Sequence, residues 1–161
     1  MLYWKLAQKE MASSKTAFQT GLMTPTRAMG LVGGLRPVWK MGALFFLGGA
    51  GAFLRYAMAG WVQTRTPPLF PAGTLAVNTL GCFLFGLIFG AAEERFLISS
   101  ETRAVLLIGF VGAFTTFSSF VFEALSMLED RAYLTAFLYF TLSHALGLGS
   151  MLLGLTLFRL F

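Results

Sequence analysis

Between Gly109 and Phe120 the chain reads Gly109-Phe110-Val111-Gly112-Ala113-Phe114-Thr115-Thr116-Phe117-Ser118-Ser119-Phe120, with four hydroxyls inside a long apolar run. Ser and Thr hydroxyls can bond back to their own helix, so a continuous helix would accommodate them. Four within five residues, just after Gly112, is denser than a continuous helix needs, and the pattern predicts a break. Non-helical backbone is allowed at membrane depth only where it is buried in protein or lines water. Such a break exposes carbonyls that can hold a cation and N–H groups that can meet an anion. Phe117 and Phe120 lie three apart and share a helix face. A Phe pair ordinarily packs, but ring edges are electropositive, so beside hydroxyls they can solvate a small anion. Asn78, in Gly73-Thr74-Leu75-Ala76-Val77-Asn78-Thr79-Leu80-Gly81, adds an amide that either joins helices or faces water.

Other polar residues are sparse. Tyr139 and Ser143 stand at i and i+4 and form a short polar stripe, which Gly147 continues without a side chain. His144 lies about 100° off that stripe, where an interhelical hydrogen bond is a better reading than catalysis. Glu123 closes the uncharged part of its segment, as an interfacial or a pathway carboxylate. Arg55, in Gly48-Gly49-Ala50-Gly51-Ala52-Phe53-Leu54-Arg55-Tyr56, either snorkels to the interface or holds loop carbonyls or a partner chain. Position 54 is Leu, so no dinucleotide fingerprint forms there. The lone Cys82 excludes an intrachain disulfide and multi-cysteine metal sites, and one His with one Cys does not assemble an enzyme's cluster of nucleophile, base or metal ligands.

The elements that must position these groups are membrane spans. Of the 161 residues, 57% are hydrophobic and 12% charged, with mean hydropathy +0.73, about half the charge of a soluble domain. A span needs about 20 mostly apolar residues, and four helices are expected, at about 42–62, 72–91, 103–128 and 132–158. The fold class is therefore all-α membrane protein, with the break in the third helix and short loops that force neighbours antiparallel. Long apolar runs in place of in/out alternation argue against a β-barrel.

The net charge of +5 sits entirely in residues 1–40, a basic tail expected to be disordered and dispensable, while 41–161 balances to zero. Met41-Gly42-Ala43 offers an alternative start at the first helix. A basic tail is not a basic folded face, so nucleic acid is not an expected partner. Without the tail, one side of the membrane carries Arg95, Arg103 and Arg159 and the other Arg65 and Arg131. That is almost no positive-inside bias, so the body could insert either way, whereas the tail favours a cytoplasmic N-terminus.

The residues quoted around Gly48–Tyr56, Gly73–Gly81 and Gly109–Phe120, in that order, resemble the CrcB/Fluc family of fluoride channels over about residues 42–158. The resemblance implies an antiparallel, dual-topology homodimer of four-helix subunits in lipid, in the bacterial inner membrane, with two fluoride pathways and passive fluoride export. It implies a structural sodium ion held by backbone carbonyls at positions matching Gly112 and Thr115 of both chains. It places Asn78, Phe117 and Phe120 on the fluoride pathway, with Ser118, Tyr139 and Ser143 as contributors and Arg55 and Glu123 in structural or vestibule roles. Ser119 stands where the family often has Thr, and Gly147 where a hydroxyl might be expected. A small multidrug-type exporter would normally carry a carboxylate in its first helix, and residues 41–64 have none. A structural subunit of a membrane complex would explain the packing glycines but not the hydroxyl cluster.

Overall fold

The structure, a computed structural model, describes residues 38–93 and 99–160. The expected tail lies almost wholly outside the described residues, and so does Arg95. Among those described, every regular element is helical: α1 (Val38–Gln63), α2 (Ala72–Glu93), α3 (Ser100–Ala104), a π-helical stretch (Val105–Val111), α4 (Gly112–Phe114), α5 (Phe117–Glu129) and α6 (Tyr133–Leu160). Four apolar spans result, Val38–Gln63, Ala72–Ala92, Glu101–Glu129 and Tyr133–Leu157. The chain is thus an all-helical, multi-pass membrane protein. The first helix begins at Val38, four residues before the expected 42.

The third span is composite. Ser99 caps α3, its hydroxyl accepting from the Thr102 N–H. From Val105 the winding widens, and the Gly112 N–H donates to the Leu107 carbonyl, five residues back. Thr115 (φ −85°, ψ 160°) and Thr116 (φ −146°, ψ 116°) are extended, so α4 stops and α5 starts afresh two residues later. Thr116 caps the new helix by accepting from the Ser119 N–H at 3.3 Å.

Glycine governs the closest helix contact. α2 and α6 share the most extensive interface, with Gly86 and Gly154 facing each other. A Cβ on Gly86 would strike the Met151 carbonyl, and one on Gly154 the Phe83 carbonyl. In lipid, where apolar surfaces gain little by hiding from the tails, such backbone approach is a main source of helix association. The sequence spacing Gly86-xxx-Gly90 suggests a contact of this kind, and Gly86 is one half of it.

Both membrane-end turns are tightly bonded. After α5, the Ala132 N–H reaches the Met127 carbonyl (2.8 Å) and the Arg131 N–H the Leu128 carbonyl (3.1 Å). This is a Schellman ending, with Arg131 in the left-handed region at φ 59°. Between α1 and α2, Gln63 bridges the turn: its Nε2 donates to the Phe70 carbonyl at 3.1 Å and its Oε1 accepts from the Gly73 N–H at 3.1 Å. Pro71 precedes α2 and has no side-chain oxygen to serve as an N-cap, so Gln63 supplies the acceptor from the preceding helix.

The core is small and aromatic. Phe120, Met127, Ala136 and Tyr139 are buried, with Phe70, Leu75, Ala124 and Ala132 against them. Large apolar side chains such as Phe45, Phe53, Phe122, Leu134 and Phe137 point outward, as a lipid or a protein neighbour requires.

Candidate functional site

The two extended residues between α4 and α5 organise the site. In a continuous helix the Thr116 N–H would donate to the Gly112 carbonyl. Instead it donates to Asn78 Oδ1 at 2.8 Å, while Asn78 Nδ2 donates to the Thr116 carbonyl at 3.0 Å. One side-chain amide from α2 therefore satisfies both backbone groups of Thr116, as a neighbouring strand would. The other half of the pair is held differently. The Thr115 N–H and Oγ1 both donate to the Val111 carbonyl at 3.0 Å. The Thr115 carbonyl receives only a long contact, 3.5 Å, from the Arg55 guanidinium. Gly81 permits this arrangement, since a Cβ there would overlap the Thr115 methyl.

Two clefts flank Thr116. One, of about 280 Å³, is lined by Asn78, Cys82, Gly112, Thr115, Thr116 and Phe117 among others. The other, of about 470 Å³, is lined by Arg55, Tyr56, Thr74, Thr116 and Ser119 among others. Arg55 is half-buried and lies on the second cleft with its head directed at the break. Of the two readings weighed for it, holding a loop carbonyl describes this geometry better than reaching for the interface.

Phe117 and Phe120 begin α5 with ring centroids 5.9 Å apart. Their environments differ sharply: Phe117 is 76% exposed and Phe120 only 6%. Phe120 sits against Tyr139 (5.2 Å), Phe140 (6.0 Å) and His144 (5.9 Å, edge-on). His144 Nδ1 lies 2.7 Å from the Phe140 carbonyl of its own helix. Ser118 is exposed, with its Oγ 3.4 Å from Thr116 Oγ1.

One turn further along α5, Glu123 accepts at both oxygens. Tyr139 donates to Oε2 at 2.6 Å and Thr74 to Oε1 at 2.7 Å. Glu123 therefore joins α2, α5 and α6, which sets it apart from a simple interfacial carboxylate. Tyr139 is completely buried and its one hydroxyl hydrogen points to Glu123. Ser143, one turn beyond Tyr139, has a buried Oγ with no hydrogen-bond partner. The structure thus brings Asn78, Gly112, Thr115 and Phe117 around one cleft and ties Phe120, Glu123 and Tyr139 into the adjoining core. Gln63 and Thr74 escaped the sequence reading. The missing N-cap before Ala72 was the available signal for Gln63. Thr74 had no signal, because its partner is far away in the chain.

Residues 42–155 match the profile of a family described as CrcB-like protein, Camphor Resistance (CrcB). The chain belongs to the CrcB family. Among its relatives, a "Fluoride-specific ion channel FluC" of Nitrosococcus oceani is 49% identical over 121 residues, 74% of this chain and 97% of that protein. Proteins of the same name from Solidesulfovibrio magneticus and Nitratidesulfovibrio vulgaris are 47% and 45% identical, covering 97% and 98% of their own lengths. The CrcB match takes in every site residue named above and begins at Gly42, after the basic tail.

Proposed function

We propose that this CrcB chain is a fluoride channel, not an enzyme, that lets fluoride leave the cytoplasm down its own electrochemical gradient and so lowers its toxicity. The observation that carries this reading is the interrupted third span. Its extended pair lies beside Asn78 and an exposed Phe117, in a body closely similar to proteins named for fluoride. Fluoride is small and strongly hydrated, so a narrow path must replace its water with close donors. Phe117 offers electropositive ring edges and Ser118 an exposed hydroxyl. Ser143 has a buried hydroxyl with donor and acceptor capacity to spare. Phe120 supports Phe117 from the core. Tyr139 contributes its ring and its bond to Glu123.

The functional unit in this reading is an antiparallel homodimer in the bacterial inner membrane. The near balance of Arg95, Arg103 and Arg159 against Arg65 and Arg131 suits insertion in both orientations. The outward apolar side chains give such a dimer, and the surrounding lipid, surfaces to cover. A sodium ion fits the residues at the break: Gly112 and Thr115 offer backbone carbonyls where regular helical bonding ends, and an all-oxygen set suits a hard cation. When bound, the ion would supply fixed positive charge that holds these carbonyls, and with them the two subunits, together.

Electrode-monitored fluoride efflux from vesicles containing the purified protein tests the function. Rapid fluoride release with chloride retained is expected, and Phe117→Ile should abolish it. Release no faster than from empty vesicles would overturn the reading.

A further inference from the structure

Asn78 was singled out in the sequence as a donor to the permeating ion, yet its side chain is occupied elsewhere. Oδ1 and Nδ2 are both bonded to the backbone of Thr116, at 2.8 and 3.0 Å. The consequence for Gly112 is specific. Its carbonyl would receive the Thr116 N–H if the helix continued, and Asn78 has taken that donor. On the other side, the Asn78–Thr116 bond fixes the peptide that joins Thr115 to Thr116, because the Thr116 N–H and the Thr115 carbonyl belong to one planar unit. One amide thereby diverts the donor that would occupy the Gly112 carbonyl and sets the direction of the Thr115 carbonyl.

We propose that Asn78 is a positioning residue for the cation carbonyls of Gly112 and Thr115, beyond any contact it makes with fluoride. The inference rests on the sodium reading given above. Gly112 and Thr115 sit in separate places along the chain's hydrogen bonding: the Gly112 N–H is tied back to Leu107 through the π stretch, and the Thr115 N–H to Val111. Neither bond restrains the two carbonyls relative to each other. Asn78 does so from a different helix, and Gly81, one turn further along α2, gives Thr115 the room to approach. The Arg55 guanidinium, 3.5 Å from the Thr115 carbonyl, leaves that oxygen a second lone pair for a cation.

The test measures the sodium dependence of unfolding and of dimer assembly in detergent, with N-methylglucamine replacing sodium. The full chain is compared with Asn78→Leu, Asn78→Ser and Phe117→Ile. Wild type and Phe117→Ile should share one sodium midpoint, although Phe117→Ile loses flux. The two Asn78 variants should need about tenfold more sodium or more, as expected from losing two hydrogen bonds that hold the donor set. Asn78→Ser covers the case in which Asn78→Leu does not fold. General destabilisation would lower stability with and without sodium alike and leave the midpoint in place. An unchanged midpoint in the Asn78 variants, with wild type responding to sodium, overturns this inference alone. No sodium response in wild type overturns the sodium reading and the inference with it.

Discussion

Tyr139→Phe isolates one bond. The Tyr139 side chain is fully buried, its ring 5.2 Å from Phe120 and 5.7 Å from Phe70 by centroid. Phe preserves both ring contacts and removes a single oxygen, which donates to Glu123 at 2.6 Å. A hydrogen bond to a charged group contributes about 1.5–3 kcal/mol, and the shape of the core hardly changes. Equilibrium unfolding of the purified protein in detergent should therefore show Tyr139→Phe less stable by about 1.5–3 kcal/mol. Glu123 keeps its second donor, Thr74, at 2.7 Å, so the carboxylate is not stranded. A double-mutant cycle with Glu123→Gln should return a coupling of about 1 kcal/mol, since residues in one hydrogen-bond network fail to add. Two results would refute the reasoning: Tyr139→Phe within about 0.5 kcal/mol of wild type, or strict additivity with Glu123→Gln. Either would mean that the hydroxyl and carboxylate are not joined in the native protein.

Three further outcomes follow from the helix contacts. Gly154→Ala places a methyl against the Phe83 carbonyl and Leu87 N–H and should cost about 1–3 kcal/mol, read as a lower unfolding midpoint. Gln63→Ala removes the bracket between Phe70 and Gly73 and should cost about 1 kcal/mol, with faster hydrogen exchange at the first turn of α2. Arg131→Gly relieves a left-handed residue at φ 59° and should stabilise the protein by about 0.5–1 kcal/mol, seen as a raised unfolding midpoint at unchanged flux.

What could be read from residues alone follows from how local each signal is. The spans are written in composition, because lipid demands long apolar runs whatever the neighbours are. The hydroxyl cluster of Thr115, Thr116, Ser118 and Ser119 is local too, and it surrounds the two extended residues. The Asn78–Thr116 pairing joins positions 38 residues apart, and nothing near Asn78 in the chain announces its partner. The Thr74–Glu123–Tyr139 junction draws on three helices and was equally hidden. The contrast between Phe117 and Phe120 was invisible for another reason: the two share a helix face, and only the packing of α6 against α5 separates one from the other.

The π stretch from Val105 to Val111 carries a consequence for anyone reading substitution patterns along the third span. Each π turn holds one more residue than an α turn, and one residue corresponds to about 100° around a helix. The two extended threonines then reset the azimuth again. No single helical wheel drawn over Glu101–Glu129 places its residues correctly. A residue plotted on the lipid side by counting from Ser100 can belong to the protein side when counted from Phe117. Tolerance to mutation in this span should therefore carry two phases that meet at Thr115 and Thr116, so alignments or designs that preserve one uninterrupted period across it preserve the wrong face.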